Sequence, residues 1–310
     1  MPKRAHWRKL DNAAKLYSAT SNKKDTRVFR FYCILKEDID PRKLQEALDK
    51  TLLVYPVFLS VMRKGLFWHY LENSTLHPEV VKEHREPCST LYIRDKRTLL
   101  FEVTYFKNRI NLEVFHALTD GTGATEFLRE LIKNYLCLSH KSEGLSDISL
   151  TDPDITIQDQ ENDSFSKYYT KMQKPKEKKP KAVQIKNLQR ETGLLNIDER
   201  ILSVKYVLAR SRELGVSMTV FLTAVYMMAI HQEMSHRQEK DPVVLMIPVN
   251  LRKFFPSNSM LNFFNWIEPG YHFDKGRDTF EDVLIYVKEY FNTELTLEQV
   301  SRHMSELVAL

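Results

Sequence analysis

Residues 114–123 constrain the fold of this chain more than any other segment, because they carry a histidine from a strand pattern directly into the start of a helix. Residues 99–106 and 110–115 are rich in β-branched and aromatic residues, and the polar tripeptide between them predicts a hairpin turn. Apolar residues then recur at helical spacing along 127–135. Gly121 and Gly123 predict a sharp turn at the junction, since glycine adopts backbone angles that other residues resist.

His116 and Asp120 are the candidate chemical groups of this segment. A neutral imidazole can take a proton from a hydroxyl or an amine, provided that its orientation and tautomer are fixed. A carboxylate four residues later can lock the turn or anchor it to another segment. Taken alone, a histidine at a strand end followed by Asp-Gly is also typical of an ordinary polar turn. These residue types therefore leave a catalytic base and a purely structural turn both open.

The same residues resemble a known motif. Residues 116–121, His-Ala-Leu-Thr-Asp-Gly, match the His-x-x-x-Asp-Gly motif of the CoA-dependent acyltransferase superfamily, which includes chloramphenicol acetyltransferases, condensation domains and alcohol acyltransferases. Other segments resemble the superfamily in the order expected: 7–14 the opening of bacterial alcohol-acetyltransferase-like proteins, 38–48 and 55–58 the first helix and the strand after it, 247–256 the Asp-Leu-Arg segment, and 261–264 the Asn-Phe segment. The resemblance spans most of the chain.

The resemblance implies a fold and a reaction. It implies an α/β, chloramphenicol-acetyltransferase-like fold with two mixed-sheet halves, of which the second is incomplete. It implies that His116 is the general base that deprotonates an alcohol or amine acceptor, which then attacks an acyl-CoA thioester. In this interpretation Asp120 and Gly121 are structural, and Arg252 is the expected partner of Asp120. Acyl-CoA is a co-substrate, with no permanently bound cofactor, and the residues that bind it are not identified.

Three departures from the pattern qualify this expectation. Phe115 stands where condensation domains usually carry a second histidine, which favours a free-standing acyltransferase over peptide synthesis. The expected donor is acyl-CoA, in preference to an acyl carrier protein. Asn250 replaces the aspartate of the Asp-Leu-Arg segment. The Asp-Phe-Gly-Trp-Gly motif expected late in the superfamily is absent, which predicts a C-terminally truncated member. The alternative is therefore a non-catalytic or truncated member that acts as a binding or interaction module.

Composition shifts predict the domain organisation. Residues 1–150 are expected to form an N-terminal acyltransferase half, 151–193 a charged linker, and 194–310 a partial C-terminal half. The linker prediction depends on a polar, aspartate-rich stretch followed by a lysine- and proline-rich run, which is typical of solvated segments. In the C-terminal half the pattern predicts helices over 198–214 and 216–230, separated by Gly215, and a strand over 243–249.

The composition argues against a membrane-spanning protein and favours a cytoplasmic one. The chain has 310 residues, 43% of them hydrophobic and 28% charged, and no apolar segment follows its basic start. The longest largely apolar stretch, 218–230, is shorter than the roughly 18 residues that predict a membrane span. An odd number of widely spaced cysteines favours reduced thiols and a cytoplasmic location.

The charge, histidine and glycine patterns argue against nucleic acid, a metal ion or a dinucleotide as a partner. The net charge is +5, but the densest basic run lies in the predicted linker and no nucleic-acid motif accompanies it, so we expect no nucleic-acid partner. The ten histidines show no metal-ligand spacing, so no metal site is expected. Residues 121–123 fit a dinucleotide loop poorly, because Glu126 stands where the third glycine would be.

Overall fold

A computed structural model describes residues 7–65, 68–141, 152, 154–170, 181–185, 197–273 and 276–308. These residues form an α/β structure that divides into two compact units. The first unit holds the described residues up to 168 and also Phe255–Phe263, a segment from far along the chain. The second unit holds the described residues of 169–254 and 264–308.

The first unit contains both strands and helices. In chain order they are β1 (Trp7–Lys9), α1 (Asn12–Thr20), β2 (Val28–Ile34), α2 (Pro41–Val54), β3 (Ser60–Lys64), β4 (His69–Asn73), β5 (Val81–Lys82), β6 (Phe101–Phe106), β7 (Arg109–Phe115), α3 (Gly121–Ser139), α4 (Ile157–Gln160) and α5 (Ser164–Tyr168). The strands form two sheets, with orders β1-β4-β3 and β2-β7-β6-β5.

The four-stranded sheet leads directly into residues 114–123, the histidine segment. Its β5–β6 pair is parallel and its other pairs are antiparallel, so this sheet is mixed, as expected. Strands β6 and β7 form the predicted hairpin, in which Phe106 pairs with Arg109. The turn residue Lys107 adopts a φ of 52°. Strand β7 pairs with β2 on one side and with β6 on the other, so the strand that leads into His116 has a neighbour on each side.

The core of the first unit lies where α2 and α3 pack against each other beside this sheet. Leu112 and Phe115 of β7 and Phe127 of α3 are fully buried, as is Leu44 of α2. Burial of each such side chain contributes about 1.5–3 kcal/mol. The two ends of the histidine segment, strand β7 and helix α3, are therefore anchored in one core.

The second unit contains short strands and longer helices. In chain order they are α6 (Val204–Glu213), α7 (Met218–Gln232), β8 (Val243–Val244), β9 (Ile247–Asn250), β10 (Phe264–Ile267), β11 (Gly270–Tyr271), α8 (Phe280–Glu294) and α9 (Leu297–Val308). Helices α7 and α8 pack together, and their buried residues include Met227 and Val287.

The second unit differs in detail from the prediction. Instead of a mixed sheet, its described strands form two antiparallel pairs, β10 with β9 and β11 with β8. The predicted strand over 243–249 is divided in two, and the predicted helix over 198–214 begins only at Val204. Gly215 ends that helical region with a φ of 65°, a backbone conformation that glycine adopts without steric cost.

Part of the predicted charged linker is folded into the first unit. Residues 157–160 and 164–168 are the helices α4 and α5, and Phe165 is fully buried. Arg8, which is also buried, donates to Glu161 Oε1 at 3.1 Å. The prediction failed here because the polar composition hid one buried aromatic residue and one carboxylate with a distant partner. The lysine-rich run at 174–181 lies almost entirely outside the described residues.

Within the described part of the chain, no single helix is both long and apolar enough to cross a membrane. Helices α6 and α7, taken together as a bent pair, pass the same test of length and composition.

Candidate active site

His116 lies immediately after β7, and three contacts fix its position. Its backbone N–H donates to the carbonyl of Arg27 at 2.9 Å, which extends the β2–β7 pairing by one residue. Its ring stacks on Tyr17 with a centroid distance of 4.3 Å, and Phe29 lies 4.8 Å away on a tilted plane. The imidazole is therefore half-buried between aromatic rings of α1 and β2.

The aromatic surroundings of the imidazole lower the pKa of His116 below its usual 6.5. Burial is the main cause, since it penalises the charged imidazolium. The hydrogen bond with the Asn262 side chain and the charge of Asp120 act in the opposite direction. The net effect keeps the imidazole neutral at neutral pH, which is the form that can accept a proton.

Asn262 connects His116 to a buried carboxylate. Asn262 Oδ1 lies 3.2 Å from His116 Nδ1, and Asn262 Nδ2 donates to Asp11 Oδ2 at 3.1 Å. The backbone N–H of Asn262 donates to the same oxygen at 3.3 Å, while Asp11 Oδ1 accepts from the backbone N–H of Ala14 at 2.7 Å. Asp11 is thus the N-cap of α1 and the terminus of a three-residue chain that ends on the imidazole.

Burial also changes the acidity of Asp11. The carboxyl lies in the interior of the first unit, and desolvation raises its pKa to about 7. Its hydrogen bonds from Ala14 and Asn262 act against this rise, because they stabilise the ionised form.

Asp120 holds the turn after His116. Its Oδ1 accepts from the backbone N–H groups of Thr122 and Gly123, at 3.0 and 3.1 Å, so it is the N-cap of α3. Its Oδ2 accepts from the backbone N–H of Phe263 at 2.9 Å. One carboxylate therefore starts the helix and also anchors the segment that carries Asn262.

The glycines of the motif have a different role from the one that the sequence suggested. Gly121 and Gly123 both lie in the first turn of α3, and neither has a positive φ. A Cβ on Gly123 would lie 2.7 Å from the carbonyl oxygen of Met260 and 2.1 Å from Thr119 Oγ1, which itself donates to that carbonyl. Gly123 is thus required for the close approach of the 255–263 segment. A Cβ on Gly121 would meet only Phe31, at an ordinary 3.8 Å.

Arg252 lies in the second unit, in a short 3-10 helix at Leu251–Lys253. Its backbone N–H donates to Asn250 Oδ1 at 3.0 Å. The side-chain oxygen of Asn250 therefore fills a role that an aspartate oxygen would also fill. The predicted pairing of Arg252 with Asp120 would join the two units, and it stays a prediction.

Sequence reasoning did not identify Asp11 and Asn262 as members of the site. In the sequence, Asn262 stands only within the resembling segment 261–264 and Asp11 only within the resembling segment 7–14. An aspartate directly before a helical pattern does signal an N-cap, but no local signal connects it to a residue 251 positions later. No cluster of three or more histidine, cysteine, aspartate or glutamate residues suited to a metal ion occurs among the described residues.

Comparison with known proteins finds a family match over part of the chain and solved structures of the same fold. Residues 155–273 match the model of the alcohol acetyltransferase family; this span includes Asn262 and excludes His116. No curated protein matches the sequence. Solved structures with the same fold include polyketide synthase associated protein 5 from Mycobacterium tuberculosis, which is 14% identical with a TM-score of 0.62, over 95% of this chain and 75% of that one.

Two other solved structures share the fold over 98% of this chain and 78% of theirs. The first condensation domain of the calcium-dependent antibiotic synthetase, in complex with a substrate analogue, is 15% identical with a TM-score of 0.61. TRI101 of F. sporotrichioides, in complex with coenzyme A and T-2, is 10% identical with a TM-score of 0.63. The shared fold confirms the expected α/β fold class, and the family match shows that residues 155–273 are similar to alcohol acetyltransferases.

Proposed function

We propose that this protein transfers an acyl group from an acyl-CoA thioester to an alcohol or amine acceptor, with His116 as the general base. The observation that carries the proposal is the neutral, half-buried imidazole at the end of β7, held by Tyr17 stacking and by Asn262. A base of this kind needs a fixed orientation and a pKa that leaves it unprotonated at working pH.

In the proposed reaction the acceptor O–H or N–H gives its proton to the imidazole of His116. The oxygen or nitrogen forms a bond to the thioester carbonyl carbon, and the carbon–sulfur bond then breaks. The sulfur of CoA leaves with the bonding electrons and takes the proton from the imidazolium. The products are an ester or amide and the free thiol, and no acyl group is attached to the protein.

The choice of donor follows from two observations. The TRI101 structure of the same fold holds coenzyme A, which supports acyl-CoA as the donor class. The residue before His116 is a phenylalanine, where condensation domains usually carry a second histidine. We therefore favour acyl-CoA over an acyl carrier protein.

Because Cys33, Cys88 and Cys137 form no disulfide, we place the reaction in a reducing compartment, the cytoplasm.

The test is release of free thiol from a panel of acyl-CoAs, measured with and without alcohol and amine acceptors. Acceptor-dependent release by the wild-type chain, reduced by about 10²–10⁴-fold in His116→Ala, is the expected result, since that is the usual contribution of a general base. His84→Ala is the matched control, because His84 is an exposed histidine of the same unit. It should retain wild-type turnover.

Two outcomes would contradict the proposal. Equal turnover by His116→Ala and wild type would remove His116 as the base. No acceptor-dependent thiol release by folded wild-type protein, across the panel, would favour the alternative of a non-catalytic binding module. Calorimetric titration with the same acyl-CoAs would then show whether the fold still binds them.

A further inference from the structure

We propose that Arg27 binds a carboxylate on the acceptor, so that this protein acylates hydroxy acids or amino acids in preference to neutral alcohols or amines. The inference rests on the proposed function, because the acceptor is the substrate whose proton His116 takes. It adds the chemical class of that acceptor.

The backbone of Arg27 is tied directly to the proposed base. Its carbonyl oxygen accepts the backbone N–H of His116 at 2.9 Å. Its own N–H donates to Asp25 Oδ1 at 3.2 Å. Arg27 has a φ of 55°, in the left-handed region that residues with a Cβ seldom adopt. Hydrogen bonds on both sides of the residue therefore fix it beside the imidazole.

The guanidinium lies close enough to the imidazole to hold the other end of a small acceptor. Arg27 Cζ is 5.9 Å from the centroid of the Tyr17 ring, and that ring is stacked on His116 at 4.3 Å. These two distances place Cζ at most about 10 Å from the imidazole centroid. A hydroxy acid with three to five bonds between its hydroxyl oxygen and its carboxylate carbon spans about 4–6 Å, and a hydrogen bond at each end adds about 3 Å. Such an acceptor reaches both groups.

The guanidinium has few partners within the protein. Among the described residues its one ion pair joins Nη2 to Asp25 Oδ2 at 3.2 Å, and the two side chains are 36% and 50% exposed. Its Nε is enclosed and has no acceptor among these residues. An exposed ion pair contributes little, because water screens it, whereas a guanidinium offers five donors in a planar fork. A carboxylate that approaches the Nη end can therefore replace the Asp25 contact.

The segment around Arg27 favours an anion. Residues 12–28 contain four cations and a single carboxylate, that of Asp25. The other three cations, Lys15, Lys23 and Lys24, are all exposed. An excess of positive charge attracts anionic substrates, and arginine binds a carboxylate with two parallel hydrogen bonds, which the ammonium group of lysine does not form. The lysines thus select charge, and Arg27 selects a carboxylate.

Distance assigns this anion to the acceptor and not to the phosphates of CoA. The pantetheine arm separates the thioester sulfur from the nearest phosphorus by about 13 covalent bonds, or about 15 Å when it is extended. With the thioester at His116, the phosphates therefore lie farther from the imidazole than Arg27 does. A carboxylate on the acyl group would lie within the same reach, and the experiment separates these two sources.

The experiment compares hydroxy acids with their neutral amides as acceptors, with acetyl-CoA as the donor. The pairs are 3-hydroxypropanoate with 3-hydroxypropanamide and 5-hydroxypentanoate with 5-hydroxypentanamide, whose members differ in charge but hardly in size. We expect the wild-type kcat/KM to be about 10–100-fold higher for the acid, as for other hydrogen bonds between charged groups. In Arg27→Gln, which keeps a residue of similar length with the same backbone restriction, this ratio should fall to about 1.

Two further variants serve as controls. Arg42→Gln removes the same charge at the start of α2, where the N–H of Asp40 donates to Tyr135 Oη, near the end of α3 that is farthest from His116. It should leave the ratio of acid to amide unchanged. Asp25→Asn keeps an oxygen for the backbone of residue 27 but removes the competing charge, so it should raise the ratio by up to about fivefold.

Three results would overturn the proposal. The first is equal use of acids and amides by wild type, and the second is a wild-type ratio in Arg27→Gln. The third comes from succinyl-CoA and butyryl-CoA, compared with 5-hydroxypentanamide as the acceptor. A preference for succinyl-CoA that is lost in Arg27→Gln would assign the carboxylate to the acyl group instead of the acceptor.

Binding is measured separately from turnover, by ¹⁵N NMR of histidine-labelled protein during titration with 5-hydroxypentanoate. The signals that are lost in His116→Ala assign that residue, and they should shift in wild type but not in Arg27→Gln. Such shifts without acyl transfer would support the carboxylate site and reject the proposed reaction. Acyl transfer that depends on His116 but does not distinguish acids from amides would do the reverse.

Discussion

Gly123→Ala adds one methyl group at the point where the 255–263 segment approaches α3 most closely. The new Cβ would lie 2.7 Å from the backbone carbonyl oxygen of Met260 and 2.1 Å from Thr119 Oγ1. The Thr119 side chain can rotate away, but it then gives up its hydrogen bond to Met260. The carbonyl can move only if the segment that carries Asn262 moves with it.

The expected cost combines three effects. Overpacking a buried site costs about 1–3 kcal/mol. Loss of the Thr119 hydrogen bond leaves a buried hydroxyl and carbonyl unsatisfied, at about 1–3 kcal/mol. Alanine in a helix is favoured over glycine by up to about 1 kcal/mol, which offsets part of this. We therefore expect Gly123→Ala to lower the free energy of unfolding by about 2–4 kcal/mol.

The assay is urea unfolding, followed by both fluorescence and circular dichroism. Gly121→Ala is the matched control, since it makes the same change two residues earlier in the same helix and its Cβ meets only Phe31, at 3.8 Å. It should be neutral or slightly stabilising. If both variants unfold at the wild-type urea concentration, the reasoning about close approach is refuted. A shift of Asn262 away from His116 should also reduce turnover in Gly123→Ala.

Two further predictions concern protonation and a buried ion pair. We expect kcat/KM to rise with pH and to reach a plateau above about pH 7. Protonated His116 has no lone pair with which to accept a proton, and protonated Asp11, whose pKa is about 7, no longer accepts hydrogen bonds at both oxygens. A kcat/KM that falls between about pH 5 and 8 would contradict both assignments. Arg8→Ala should lower the free energy of unfolding by about 3–5 kcal/mol, since it removes the guanidinium from the poorly exposed Glu161 carboxylate, whereas Arg129→Ala, in an exposed pair, should cost less than about 1 kcal/mol. If urea unfolding shows the same loss of unfolding free energy for the two arginine variants, burial does not explain the contribution of the Arg8–Glu161 pair.

The sequence by itself determined the secondary structure on either side of His116. Two segments rich in β-branched and aromatic residues, with a polar tripeptide between them, specified the β6–β7 hairpin, and the apolar period after Gly123 specified α3. Strand, turn and helix are short-range structures, so their signals lie within a few residues of one another. The motif and the resembling segments also predicted a likeness to acyltransferases, and residues 155–273 match the alcohol acetyltransferase family.

Tertiary structure decided how the histidine is held. Asn262 lies 146 residues from His116, and Asp11 lies 251 residues from Asn262, yet hydrogen bonds connect all three. The association of such distant residues depends on packing and burial, which periodicity and composition do not encode. The same applies to Gly123: its sequence context suggested backbone freedom, whereas the structure shows that its missing Cβ makes room for a carbonyl from a segment far along the chain.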